Sequence, residues 1–504
     1  MTMMHPGLSS GWILIAWVCI FVLAAWALFT PYQPRAAAVI QKNRFRTGSR
    51  LAELFISSWP LRVLKLLMVA LYVLIIYSGL YGTPIPSHNI ATTMTWNLWW
   101  SGLIVSVFFL GSVWCTVCPW NTLATWLAKI SFRGKLGSVS DLKLRVPKHV
   151  RNIWPALLLF IGLTWLELGA GITSNPYATA LLAMTMLMLA TLSIVFFERK
   201  AFCRYFCPVG RTIGFYAQLA PVELRHIDAE VCQRCTSLDC YYGNEKAEPC
   251  PTGLAMRNLR ENTYCTSCGN CIRSCPHHNI DWRLRSVSRE AIQDARPRPD
   301  EAWFMLGLLA LTGLHGLTMM PVWEYWIRKF ARLIGDSGQL LLSFTVGQLL
   351  VLMVLALCYQ LLVALTRLVN RQRLSFSSLF TGMAFISLPL AFSYHLAHNL
   401  NHLLRERSGL SLLLNNPLST ADKSLDSTSS QAGMMTGLIS QDVLFAMQTA
   451  LIVFGFWIAI LVVRHRGEAL LPGSGWRLFP MCLFALLVTG VQLWLLSQPM
   501  IMRF

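Results

Sequence analysis

The run Cys265-Thr-Ser-Cys268-Gly-Asn-Cys271-Ile-Arg-Ser-Cys275-Pro276 has the spacing C-x2-C-x2-C-x3-C-P. Three thiolates in one tight turn can wrap three corners of a [4Fe–4S] cube, while the fourth, followed by proline, ligates a neighbouring cluster. Thiolate is the soft, charged ligand that iron–sulfur chemistry needs. A second quartet lies upstream: Cys232-Gln-Arg-Cys235, then Cys240, then Cys250-Pro251. The crossed pattern assigns Cys232, Cys235, Cys240 and Cys275 to one cluster, and Cys265, Cys268, Cys271 and Cys250 to the other. Paired C-x2-C units also bind structural zinc. Two triplets and two Cys-Pro endings are more than a zinc site needs, and disulfides suit a cytoplasmic segment poorly.

Four further cysteines form Cys115-x2-Cys118-Pro119 and Cys203-x3-Cys207-Pro208, each at the inner end of an apolar run. Together they are enough for a third cluster. They equally suit a redox dithiol pair, a transient metal site, or incidental thiols at capped helix ends. The remaining cysteines, Cys19, Cys358 and Cys482, sit alone in apolar runs and read as core residues.

The elements that position these thiols are membrane helices. The 504 residues are 55% hydrophobic and 13% charged, with mean hydropathy +0.51. That is a polytopic membrane protein with a soluble insert. The net charge of +19 lies in loops between apolar spans, where the positive-inside bias puts it, so a nucleic-acid partner is a poor explanation. Between Glu198 and Glu301, 15 Lys/Arg stand against 13 Asp/Glu, so the insert itself is nearly neutral.

Ten spans are expected, at about Gly11–Phe29, Leu61–Leu80, Leu98–Trp114, Ile153–Ala170, Tyr177–Phe197, Ala302–Met320, Ser343–Val369, Leu379–Leu404, Val443–Val463 and Leu478–Leu496. No basic stretch precedes the first, so it reads as an uncleaved span rather than a signal peptide. The segment around Trp323–Phe330 mixes aromatics with charge and reads as a helix lying at the interface. Loop charge then puts both termini outside and every cysteine motif on the cytoplasmic face of a bacterial inner membrane. The fold class is therefore all-α. A five-helix membrane domain spans 1–197, a cytoplasmic ferredoxin-like domain for two [4Fe–4S] clusters spans 198–301, and a second five-helix domain spans 302–504.

The second membrane domain carries His395, His398 and His402 at i, i+3 and i+7, on one helical face. His315 stands in the sixth span, and all four fall in the outer half of the membrane. Ionisable side chains inside a bilayer are costly and usually face a functional interior. Three readings compete. His315 with His395 or His398 could hold a haem b. The histidines could line a quinol pocket or bind another metal, with His402 as a further ligand. They could also simply form interhelical hydrogen bonds. Glu167, near the outer end of the fourth span, is a candidate proton acceptor.

Phe202-Cys203-Arg-Tyr-Phe-Cys207-Pro-Val-Gly210, a span ending in Cys115-x2-Cys118-Pro119, and the double C-x2-C insert together resemble the membrane polyferredoxin family, which includes the NosR, NapH and FixG/CcoG proteins. The resemblance covers roughly Leu61 to Glu301. It implies clusters that move electrons between membrane quinol, or a cytoplasmic donor, and a periplasmic redox enzyme or cytochrome, or the maturation of such an enzyme. It also implies that the eight insert cysteines are cluster ligands and that the Cys-Pro pairs are the family's membrane-edge motifs. The last five spans have no counterpart in that pattern.

The sequence thus points to a lipid-embedded iron–sulfur electron-transfer protein, of the quinol-dehydrogenase kind if it is itself an enzyme. Its rivals are a maturation factor supplying electrons for metal or thiol reduction, and a transporter with a regulatory cluster domain.

Overall fold

The computed structural model describes residues 4–5, 7–32, 58–131, 144–371, 374–405, 418 and 439–501. The apolar runs form helices because a bilayer offers the backbone no hydrogen-bond partners, so every span must satisfy its own. Among the described residues, eight helices are long and apolar enough to cross a membrane. They coincide with the expected spans one, two, three, five, seven, eight, nine and ten. The other two differ. The sixth, α12 (Pro299–Thr318), qualifies only together with α13 (Pro321–Ile334), to which it is bent by 92°. The fourth is a shorter apolar helix over Trp154–Gly169, cut off where Gly171 takes a left-handed φ of 70°.

In chain order, α1 is Ser10–Phe29, α2 Ser58–Tyr81, α3 Trp100–Leu110, α4 Trp114–Val117, α5 Pro119–Ser131, α6 Trp154–Thr164, α7 Pro176–Phe196 and α8 Pro208–Tyr216. The insert holds the short helices α9 (Ala229–Arg234), α10 (Asp239–Tyr242) and α11 (Asn270–Ser274). After α13 come α14 (Leu341–Asn370), α15 (Phe376–Met383), α16 (Ser387–Arg405), α17 (Gln441–Leu470) and α18 (Phe479–Ser497). The span Phe376–Leu400, formed by α15 and most of α16, is 83% buried along its most apolar stretch, against 22% for α1. This span is therefore at the centre of the bundle and α1 at its rim.

The third span is not one continuous helix. A π-helical turn over Thr93–Trp99 leads into α3, and Gly111, at φ 59°, ends it. Cys118 then leaves the helical region at φ −52°, ψ 124°, and Pro119 starts α5. Cys207 does the same at φ −69°, ψ 111° before Pro208 opens α8. The residue before a proline is pushed out of the α region, and proline suits the first helical turn. Each Cys-Pro is thus a built-in break between two helices.

The insert is built on two antiparallel strands, β2 (Val222–His226) and β3 (Ile280–Leu284), with Leu224 opposite Trp282. Leu224, Met256, Leu259, Ile272 and Ile280 pack with Cys232 and Cys275 into its own small core. Buried charge braces it internally, and one arginine ties it to the helices. Glu290 accepts from the Asn262 backbone at 3.0 Å, faces Arg225 at 3.5 Å and pairs with Arg285. Arg466 of α17 donates to the carbonyls of Ala291 at 2.7 Å and Ala295 at 3.0 Å. The same end of α17 meets the end of α1, through Arg464 to the Pro31 carbonyl at 3.0 Å. At the opposite end of these helices the chain termini meet: β1 (Met4–His5) pairs with β4 (Met500–Ile501).

Candidate functional site: three thiol cages and a tryptophan-lined cavity

The Cys-Pro breaks bring Cys115, Cys118, Cys203 and Cys207 onto the wall of one cavity, with Trp114, Trp120, Asn121 and Lys200. A π-helical turn over Phe202–Phe206 carries Cys203. The Gly210 amide donates to the Cys207 sulfur at 3.2 Å. Arg211 is 2% exposed and donates to the Thr263 carbonyl at 3.1 Å, with its guanidinium 4.7 Å from the Tyr264 ring centroid. Burial pushes the Cys203 thiol up, and Lys200 and Arg211 pull it back. Arg211 is a candidate residue near the site that sequence reasoning missed. The available signal was a lone arginine four residues after Cys207, in a stretch that had to be buried.

In the insert, Cys232, Cys235, Cys240 and Cys275 line a second cavity. The Asn279 side chain donates to the Cys232 sulfur and the Asn279 backbone to the Cys275 sulfur, both at 3.4 Å. Cys265, Cys268, Cys271 and Cys250 form the third group. Burial pushes the Cys265 thiol up to about 12; the Ser267 backbone amide offsets part of that rise, and the nearby Cys268 and Cys250 add to it. Burial also raises Cys271, beside Cys265, Cys268 and Cys250. Amides donate to two of these sulfurs, Ser267 to Cys265 at 3.4 Å and Leu254 to Cys250 at 3.3 Å. Arg199 holds the Cys250 carbonyl at 2.6 Å.

The cages lie in series. Cys240 of one insert cage is close enough to feel both Cys250 and Cys275. Thr116, next to Cys115, donates to the carbonyl of Thr266, next to Cys265, at 2.6 Å. Four thiols per cage, N–H donors to sulfur and a buried cation beside the membrane-edge cage fit the binding of [4Fe–4S] clusters. A cluster with four thiolates is an anion whose potential such groups tune.

A larger cavity, with about 980 Å³ of empty space, lies on the membrane side and shares Trp114, Cys118, Trp120 and Val209 with the membrane-edge cage. It is overwhelmingly apolar and lined by Trp96, Trp99 and Trp100, with Tyr72 and Glu167 among its few polar groups. The ring centroid of Trp99 lies 5.6 Å from that of Trp114 and 5.9 Å from that of Trp120. The indole N–H groups of Trp99 and Trp114 are buried with no hydrogen-bond partner among the described residues.

The histidines behave differently from one another. His395 is fixed through both ring nitrogens: Trp100 donates to its Nε2 at 3.1 Å, so its Nδ1 proton goes to the Tyr216 oxygen, also at 3.1 Å. His315 and His398 meet edge to face at 5.1 Å between centroids. Glu167 Oε1 stands 3.6 Å from His315 Nδ1. A haem does not fit this arrangement. No macrocycle enters between two imidazoles in van der Waals contact, and His395 has no nitrogen left to offer an iron. The side chain of His402 lies outside the described residues.

The family described as "4Fe-4S binding domain" matches residues 92–138 and 179–220. Each match contains one membrane-edge Cys-Pro pair, and together they cover a small part of the chain. A protein of Escherichia coli (strain K12) named for electron transport, YccM, is 35% identical over 98 residues, 19% of this chain and 24% of that protein. Two uncharacterised proteins of Methanocaldococcus jannaschii also match. MJ0749 is 22% identical over 34% of this chain and 64% of its own length. MJ0750 is 25% identical over 34% of this chain and 72% of its own length. No solved structure matches the chain.

Proposed function

We propose that the protein is a membrane iron–sulfur electron-transfer protein that takes electrons from quinol and delivers them to a protein redox partner. The observation that carries this reading is the shared wall between the tryptophan-lined cavity and the membrane-edge thiol cage. A lipid-soluble, flat, two-electron donor suits an apolar aromatic cavity with few polar groups. The indole N–H groups of Trp99 and Trp114 would hydrogen-bond its oxygens.

Cys115, Cys118, Cys203 and Cys207 would hold one [4Fe–4S] cluster. Cys265, Cys268, Cys271 and Cys250 would hold a second, and Cys232, Cys235, Cys240 and Cys275 a third. Such clusters supply one-electron acceptance and release. The protein's part is to set spacing, burial and charge. Arg211 and Lys200 offset negative charge at the membrane edge, and the Thr116–Thr266 bond fixes the distance between cages. The match to a 4Fe-4S binding domain on both Cys-Pro pairs and the similarity to an electron-transport protein support this assignment. By the charge of the loops, the insert faces the cytoplasm of a bacterial inner membrane and both termini face the periplasm.

The test is an optical spectrum of the anaerobically purified full chain, before and after a reduced quinol analogue. Bleaching of the broad iron–sulfur absorption is expected. Cys118→Ser should lose about a third of the iron and with it the quinol response, while the insert signals remain. Bleaching only by a strong low-potential reductant would overturn the quinol reading in favour of a cytoplasmic donor or a maturation role.

A further inference from the structure

Quinol oxidation releases two protons, and the cavity has one ionisable route that leads away from the thiols. Glu167 lines the cavity and sits on a π-helical turn, Trp165–Gly169, that interrupts the end of α6. Such turns re-aim side chains and recur at functional sites. Behind the carboxylate stands His315 Nδ1 at 3.6 Å, and behind that ring stands His398, edge to face. Tyr394 stacks on His398 with centroids 6.0 Å apart. Its hydroxyl lies so close to Gly316 that any Cβ there would collide with it at 1.8 Å, so α12 and α16 are pressed together at this point. His315 lies one turn from the end of α12, where the chain bends away from the insert.

We infer that Glu167 is the proton acceptor for quinol in this cavity, and that His315 and His398 carry its protons to the end of the bundle opposite the insert. The inference rests on the quinol reading above. In each of two steps a quinol O–H bond breaks and its proton goes to a Glu167 carboxylate oxygen. One electron leaves at the same time for an oxidised one-electron centre in the cages, so that quinol, two oxidised centres and two basic sites become quinone, two reduced centres and two protonated sites. Glu167 returns to carboxylate by passing each proton to His315 Nδ1, and an imidazole can accept at one nitrogen and release at the other. The titratable groups facing this line are Tyr72 and Cys118 across the cavity, Tyr394 against His398, and His395, whose two nitrogens are already bonded. Against the same turn α14 places Phe344, Thr345 and Gln348, all uncharged.

The experiment uses the full chain with menadiol as donor and menadione as binding probe, read by quenching of the cavity tryptophans. Glu167→Gln should still quench with menadione as the wild type does. It should oxidise menadiol about 100-fold or more slowly, and the rise of rate with pH expected of the wild type should flatten. His315→Gln should show the same pattern more weakly. A Glu167→Gln protein that keeps the wild-type rate and pH profile overturns the proton line and leaves the quinol reading standing. A wild type that neither quenches nor oxidises menadiol removes the quinol reading itself, and the proton line with it.

Discussion

At the scale of single residues, the decisive device is cysteine followed by proline. Proline forces the preceding cysteine out of the helix, so the thiol at each break turns from the helix surface into a cavity. Arg211 adds a second determinant: a buried cation held by the Thr263 carbonyl and the Tyr264 ring, beside a site proposed to be anionic. Arg211→Gln should lower the reduction potential of the membrane-edge centre, because the reduced, more negative state loses its counter-charge. A loss of about 1–2 kcal/mol corresponds to roughly 40–90 mV for one electron. Potentiometric titration of the anaerobic protein checks it, with Arg211→Lys expected to stay near wild type. An unchanged potential in Arg211→Gln would mean that the arginine serves packing alone.

At the scale of elements, Arg466 of α17 holds the insert to the bundle through the Ala291 and Ala295 carbonyls, and a buried charge network braces the insert itself. Glu290 is fully buried among Arg225, Arg285 and the Asn262 amide. Glu290→Gln leaves Arg225 and Arg285 to share Glu223 as their counter-charge in the interior, a loss of about 3 kcal/mol. Thermal unfolding of the purified protein should fall accordingly, and cage contents should be lost from the insert before the helices melt. Glu223 gives the same network a pH dependence. Burial alone would raise its carboxyl, but Arg225, Arg285 and Arg283 hold it below its usual range. A depressed folded-state value means stability that is present above the ordinary glutamate value of about 4.3 and is lost as pH falls through the lower folded value. Glu223→Gln should therefore narrow the stability difference between pH 6 and pH 4 in denaturation curves. An unaltered difference would assign the acid sensitivity to other groups.

At the scale of the whole molecule, the two ends of the bundle have different tasks. One end gathers the Cys-Pro breaks, the insert and the arginines of α17. The other brings the termini together and carries His315 and the bend between α12 and α13. The charge asymmetry of the loops predicts that the insert end is cytoplasmic. An alkaline phosphatase fused after Phe504 should then be active in a bacterial host, and a fusion within the insert at Lys246 inactive. The reverse pattern would invert the orientation. The number of spans is a whole-molecule property too. All ten expected segments contain helix, yet among the described residues eight helices are long and apolar enough alone: α12 qualifies only together with α13, from which it is bent by 92°, and the fourth segment stops at Gly171.

What the sequence determined by itself is what depends on covalent order and on solvent. Apolar runs in a lipid solvent must be helices, thiols at C-x2-C spacing must fall on one turn, and Cys-Pro must break a helix. The two cysteine quartets of the insert are expected as ligand sets on that ground. What only the tertiary structure decided depends on which surfaces meet. Three π-helical turns, at Thr93–Trp99, Trp165–Gly169 and Phe202–Phe206, place Trp99, Glu167 and Cys203, and a periodicity of 3.6 residues cannot foresee them. Nor could spacing show that Cys115 and Cys118 would close on Cys203 and Cys207, because these pairs lie on different helices. The shared helical face of His395 and His398 was legible. Their partners were not: α3 and α8 occupy one ring, and α12 brings His315 against the other. Packing between helices far apart in sequence made the haem geometry unavailable and put Glu167 beside His315 instead.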